Sequence, residues 1–431
     1  MFLTMRAVWV MLAGIPLVLL APSPSTVMLW VLALAVLIVL DVVAAPSPRV
    51  LKCERTVSRA VRLGEAATCT LSVTNTGTRA VRLVLRDAWP PSAGAAADRG
   101  RLNIPAGERR RHRTRLAPWR RGDREAGPVT VRSAGPLGIA GRQASLWAPA
   151  VLRVLPAFRS RRHLPSRLAR LREMDGRSAV MVRGAGTEFD SLREYVVGDD
   201  VRSIDWRSSA RRGEVVVRTW RPERDRRVLI LIDTGRLAAA RLADAPRLDS
   251  QIEAALLLSA LASHAGDRVD VVALDSMVRG QVRGQSGPAL MSALADSLAG
   301  VEARLIESDW TLMASLAQSQ LSQRALVVIL TGMDGAAGVD PVMLRSLSAL
   351  AQRHTVVLAS ATDPALEGLR RQGRDAETVY VAAAADKELA DIEAVGQRLR
   401  RSGVEVVEAP DQLLAPALAD AYLDLKAAGR L

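Results

Sequence analysis

Cysteine, histidine, lysine and aromatic residues are all scarce in this chain, and each scarcity excludes something. Two cysteines, Cys53 and Cys69, cannot build a disulfide framework in 431 residues. They could face each other on neighbouring strands, but two small buried thiols in a reducing compartment is the favoured reading. The four histidines, His112, His163, His264 and His354, have no metal-ligand spacing, and none lies in a cysteine or serine nucleophile motif. No Gly-x-Ser-x-Gly occurs, and no phosphate-binding loop ends in Gly-Lys-Ser or Gly-Lys-Thr. These absences leave no residue to name as catalytic, and the expectation is a protein that is not an enzyme.

Lysine occurs only at Lys52, Lys387 and Lys426, so the net charge of +14 is carried by arginine. It is unevenly spread. Residues 1–227 hold 40 Lys and Arg against 19 Asp and Glu, whereas residues 228–431 hold 19 against 26. A basic half beside apolar N-terminal segments suggests membrane lipid with anionic headgroups as its counter-surface. Nucleic acid is not expected as a partner, because no helix-turn-helix, zinc or aromatic-interleaved motif accompanies the arginines.

Two apolar stretches open the chain. Residues 7–21 carry no charge, a turn-forming run Ala21-Pro22-Ser23-Pro24-Ser25-Thr26 follows, and residues 27–45 are apolar again apart from Asp41. Each approaches the ~20 residues that cross a bilayer. A signal peptide would explain the first stretch alone, but the second follows at once and the turn lacks a small-x-small cleavage site. A transmembrane helical hairpin over residues 1–48 is therefore expected. Arg6 precedes it and Arg49, Lys52, Arg55 and Arg59 follow it, which puts both ends, and the soluble region, in the cytoplasm.

Residues 49–155 alternate in the manner of short strands. Examples are Cys69–Val73, stopped by Asn75-Thr76-Gly77, then Val81–Leu85, the polar run Arg109–Leu116, Val129–Val131 and Val151–Val154. Such spacing predicts a β-sandwich, and Leu-Ser-Val-Thr-Asn-Thr-Gly is similar to a strand and turn of immunoglobulin-like modules. The arginines of Arg109–Arg115 suit either an anion contact or an edge strand guarded by charge. From residue 228 the pattern changes. Val228–Ile232, Val269–Leu274, Ala325–Leu330, Thr355–Ala359 and Val404–Val407 are apolar runs separated mostly by helical stretches, one of them over 248–264. That order predicts a doubly wound α/β domain over 227–431 with a mostly parallel sheet.

Between these parts, residues 156–226 comprise a basic connection and a dense block. The block holds Gly186-Thr187-Glu188-Phe189, Arg193-Glu194-Tyr195, Gly198-Asp199-Asp200, Arg202, Ile204-Asp205-Trp206 and Ala210-Arg211, and a strand ending at Asp233 follows. It closely resembles the signature of bacterial domain-of-unknown-function family 58. Arg120-Arg121-Gly122 and Gly135-Pro136-Leu137-Gly138 are similar to two further turns of that family. Glu188, Arg193, Tyr195, Asp199, Asp200, Arg202, Asp205, Trp206 and Arg211 are thus candidate interaction residues. They could form a docking face, since Trp and Arg are frequent interface anchors. They could equally lock the block onto the α/β domain through ion pairs and a buried indole.

The resemblance implies a von Willebrand factor A-like domain, in which Asp-x-Ser-x-Ser, a distant Thr and a later Asp hold Mg²⁺ or Ca²⁺. Here Asp233 stands at the first position. The two serine positions are Gly235 and Leu237, and the later Asp position is Gly332, with Asp334 displaced by two. The expectation is no cofactor, with a degenerate Mg or Ca site at Asp233 as the alternative, in which case the protein would be a metal-dependent receptor. An enzyme of unknown type comes third. The resemblance further implies a membrane scaffold or adaptor that partners a MoxR-type AAA+ ATPase in envelope-related or chaperone-like work.

Overall fold

The structure, a computed structural model, describes residues 1–181, 188–221, 226–333, 340–371 and 376–431, with side chains in 175–181, 188–190, 219–221 and 376–377 also left aside. Gly186, Thr187, Asp334 and Gly335 lie outside the described residues, as does the side chain of Glu188. The chain falls into two compact units, Met1–Leu155 and Pro156–Leu431.

The first unit begins with a short strand β1 (Phe2–Leu3) and three helices, α1 (Met5–Leu12), α2 (Ile15–Leu20) and α3 (Pro24–Ala44). Pro24 starts α3 without losing a hydrogen bond, and Ser23 caps it by accepting from the Thr26 amide. Among the described residues α3 is the one helix long and apolar enough to cross a membrane. The first apolar stretch is instead split between α1 and α2, with Ala13 and Gly14 between them.

Twelve strands complete the first unit: β1, β2 (Leu51–Thr56), β3 (Ala60–Arg62), β4 (Ala67–Asn75), β5 (Val81–Arg86), β6 (Ala95–Ala96), β7 (Arg99–Ile104), β8 (Arg109–Leu116), β9 (Gly122–Glu125), β10 (Val129–Ala134), β11 (Ala140–Leu146) and β12 (Val151–Leu155). They form sheets in the orders β1-β11-β10-β5-β7, β2-β4-β8-β6 and β3-β12-β9. Alternate residues of β4 and β5 are buried, as the period of two requires. Leu71 and Val73 from one sheet meet Leu83, Leu85, Val129 and Val131 from another, which makes a sandwich core. Only Arg115 and Leu116 of β8 pair with β6. The stretch from Arg109 to Thr114 is therefore a sheet edge, and its arginines discourage a further strand. The cysteines do not face each other. Cys53 lies across from Val73, and Cys69 across from Thr114. Burial pushes their thiols up to about 11 and about 12, so both stay protonated and unreactive at neutral pH.

In the second unit, α4 (Leu164–Met181) leads to a separate two-stranded sheet. Its members are β13 (Glu188–Glu194) and β14 (Val216–Arg221), with α5 (Trp206–Arg212) between them. The chain then continues through β15 (Arg227–Asp233), the small pair β16 (Arg241–Leu242) and β17 (Ala245–Pro246), and α6 (Arg247–His264). After these come β18 (Arg268–Leu274), β19 (Val278–Val282), α7 (Gly287–Ala299), α8 (Trp310–Gln320), β20 (Leu326–Leu330) and α9 (Pro341–Ala351). The last elements are β21 (Thr355–Thr362), α10 (Pro364–Arg370), α11 (Ala376–Arg401), β22 (Glu405–Pro410) and α12 (Leu414–Ala427).

The main sheet runs β19-β18-β15-β20-β21-β22, parallel except for β19. Helices cover both faces. Val228, Ile230 and Ile232 pack with α6, α7 and α12, whereas Leu229 and Leu231 pack with α8 and α9. Both faces are apolar, which is why these strands read as continuous hydrophobic runs. β18 and β20 flank β15 on opposite sides, so the connections diverge above the carboxyl end of β15. In open parallel sheets that divergence is where ligand sites form.

Candidate functional site

Asp233 ends β15 at that point and is fully buried. Its Oδ1 accepts from the Gly235 amide at 2.8 Å and from the Ser308 hydroxyl, and its Oδ2 accepts from the Thr331 hydroxyl at 2.6 Å. Burial pushes the Asp233 carboxyl above its ordinary range, outweighing these three bonds. Beside it, Thr234 donates to Asp275 at 2.9 Å, and Arg279 donates to the same carboxylate oxygen at 2.7 Å. Burial raises Asp275, but the bonds from Arg279 and Thr234 win and hold it below the usual value.

The positions that lack oxygen ligands are already filled. A side chain on Gly235 would overlap the Ser308 hydroxyl, and one on Gly332 would overlap the Arg247 guanidinium. Arg247 is buried and donates to the Leu237 carbonyl at 2.7 Å and the Ala361 carbonyl at 3.1 Å. A fixed cation thus lies against Leu237 and Gly332, two of the three positions where a metal site would need oxygens. A divalent ion there would meet like charge and a carboxylate with no free oxygen. Among the described residues no group of three or more His, Cys, Asp or Glu could hold a metal. Ser308 and Arg247 carried no signal in the sequence, because one sits in a loop and the other resembles any surface arginine.

The signature block builds a different kind of site. Three of its aspartates, Asp199, Asp200 and Asp205, are engaged in making the fold. Asp199 takes both Nη atoms of Arg193, one at 2.8 Å, and also the Val196 amide at 2.9 Å. Asp200 caps the short turn Val201–Ser203 by accepting from the Arg202 amide at 3.0 Å. Asp205 is the N-cap of α5, accepting from the Ser208 amide at 2.9 Å, and its other oxygen takes Arg218 Nε at 2.7 Å. Gly213, at φ +75°, ends α5 and returns the chain to β14. Asp199 and Asp205 both lie below the usual carboxylate value. The cause is the Arg193 bond in the first case, and the Ser208 amide followed by Arg218 in the second.

The remaining surface presents apolar and basic side chains beside the exposed Glu194 and Glu214. Trp206 is 66% exposed, Val197 95%, Val196 61% and Val201 59%. Arg202 and Arg211 are exposed, and Tyr195 is half-buried while its amide pairs with the Val215 carbonyl. Glu188 opens β13 across from Arg221. The indole is therefore not a buried lock. The ion pairs of Arg193 and Arg218 close within the block itself.

The family model described as "Protein of unknown function DUF58" matches residues 191–409. None of the curated proteins matches the chain. Among solved structures, a von Willebrand factor type A protein from Catenulispora acidiphila is similar at 14% identity and a TM-score of 0.30, over 48% of this chain and 43% of that one. Proximal thread matrix protein 1 from the mussel byssus is similar at 12% identity and a TM-score of 0.28, over 48% and 47%. The CARDB domain of the PF1109 protein from Pyrococcus furiosus, in complex with di-metal ions, is similar at 13% identity and a TM-score of 0.19, over 27% and 92%.

Proposed function

We propose that this chain, which belongs to the DUF58 family, is a membrane-anchored docking protein that grips a partner protein and does no chemistry of its own. One observation carries this reading. In the signature block, Asp199, Asp200 and Asp205 are spent on internal caps and ion pairs, while Trp206, Val196, Val197 and Val201 stand in solvent. Exposed aromatic and aliphatic side chains rimmed by arginines have the composition of a binding hot spot. The filled strand-end site gives no support to a metal-dependent receptor. The partner we propose, following the family resemblance, is a MoxR-type AAA+ ATPase, which would supply any nucleotide hydrolysis.

The anchor is proposed as a hairpin of α1–α2 and α3 in the cytoplasmic membrane, with the soluble units in the cytoplasm. Phe2 and Leu3 pair with Gly141 and Ala140, and Asp41 bonds the turn just before them, which supports an apolar segment that leaves and returns on one side. The test is affinity capture from native membranes by the full chain and by its Trp206→Ala and Val197→Asp variants. Wild type is expected to retain an AAA+ ATPase, and each variant to lose about tenfold or more of it at unchanged melting temperature. Equal capture by wild type and both variants would remove the docking face.

A further inference from the structure

We infer that the second unit carries a site for a small zwitterion, an α-amino acid with an apolar side chain, at the carboxyl ends of β20 and β21. A cavity of about 190 Å³ opens there. Arg247 forms part of its wall, and the same guanidinium lies against Gly332, so the cavity begins where the filled position beside Asp233 ends. The carboxyl end of an open parallel sheet is where ligands bind. The volume is below the ~300–1,000 Å³ of drug-sized ligand sites, which limits the occupant to a small metabolite. The site is separate from the exposed face around Trp206 and from the apolar N-terminal helices.

The lining holds charge of both signs. Arg241, on the hairpin of β16 and β17, donates to the Asp244 carbonyl at 2.9 Å. Asp363 caps α10, its Oδ1 accepting from the Ala365 amide at 2.9 Å. Among the described residues neither side chain is in an ion pair, and Asp363 Oδ2 accepts no hydrogen bond. The two thus line one small cavity without bridging each other. A ligand that bears a carboxylate and an ammonium completes both at once, whereas a ligand of one sign completes only one. Arg247 and Glu388 add one charge of each sign, so the lining as a whole is neutral and does not favour a simple anion. Ser360 supplies a further polar group. It is 2% exposed, and among the described residues its hydroxyl has no partner. A buried hydroxyl without a bond costs free energy, and a charged group in the cavity satisfies it. Leu242, Met333, Leu366 and Ile392 make much of the remaining wall apolar, which suits a hydrocarbon side chain.

The experiment is equilibrium dialysis of the full chain, in mild detergent, against radiolabelled L-leucine and L-methionine. Two analogues that each lack one charge serve as competitors: isocaproate keeps the carboxylate of leucine, and isoamylamine keeps its ammonium. Wild type is expected to bind at least one of the two amino acids saturably, and both analogues to compete about tenfold or more weakly than that amino acid. Asp363→Asn, which keeps the cap of α10, and Arg241→Gln should each weaken binding about tenfold or more at unchanged melting temperature. The comparison of analogues uses wild type alone, so it does not depend on the variants folding. Three outcomes overturn the site: no saturable binding of either amino acid up to ~10 mM, an analogue that competes as well as the amino acid, or binding indifferent to both substitutions.

Discussion

Asp233 has both oxygens occupied by donors from three separate segments, and Arg247 fills the space beside its neighbours. Melting of the soluble region is therefore expected to be unchanged by about 10 mM Mg²⁺ or Ca²⁺, whereas a receptor binding about a hundredfold below that concentration would gain ~2.7 kcal/mol. Asp233→Ala strips acceptors from the Ser308 and Thr331 hydroxyls and should cost ~1–3 kcal/mol, read from denaturant unfolding. Asp233→Asn should cost less, because the hydroxyls can turn to accept from its amide and burial already disfavours the charged form. The raised pKa also sets a sign. The folded state binds its proton more tightly than the unfolded state, so this residue's contribution is fully present below 3.8 and is lost as pH rises through the higher folded value.

At the scale of elements, the hairpin of β13 and β14 depends on local caps more than on a core. Asp205→Ala should lower helix content in α5, seen as faster exchange of the Ser208 amide. Acid tests the same bonds with the opposite sign from Asp233. Asp199 and Asp205 have folded values below 3.8, so their contribution is present above it and disappears as pH falls through the folded values. Protection of the Val196 and Ser208 amides should hold from neutral pH to about pH 5 and fail only in stronger acid. The sequence showed the main sheet clearly, since Val228–Ile232 and Ala325–Leu330 are apolar on both faces and leave little alternative to buried parallel strands. Cys69–Val73 and Arg109–Leu116 showed their period of two with equal clarity. The signature block was legible only as a list of residue types. Whether Trp206 is buried or exposed, and whether Asp199 pairs inside the block or beyond it, depends on tertiary placement that periodicity does not encode. The break at Ala13 and Gly14 was likewise hidden, because an apolar run reads the same whether it forms one helix or two.

At the scale of the whole molecule, one buried charge joins the apolar helix α3 to the sandwich. Asp41 interrupts an otherwise apolar stretch, and in sequence it could pass for a blemish near the end of a membrane helix. In the fold it accepts the amides of Leu137, Ile139 and Ala140, each at 2.8 Å, so the last turn of α3 and the β10–β11 turn are held as one piece. Thr4 donates to the Gly138 and Ile139 carbonyls from the other end of the apolar segment. The sandwich is then no tethered bead. Its orientation relative to α3 is fixed by these bonds. Asp41→Ala leaves three amides without this acceptor, and the two that are buried, Ile139 and Ala140, cost ~1–3 kcal/mol each. Exchange at Leu137, Ile139 and Ala140 should rise sharply while the amides of β4 stay protected, because the sandwich core of Leu71, Val73 and Leu85 does not touch this bond set. Uniform loss of protection across β4 and β5 would instead mean that Asp41 supports the sandwich itself. No change at the three amides would mean that α3 and the sandwich are held together by other contacts.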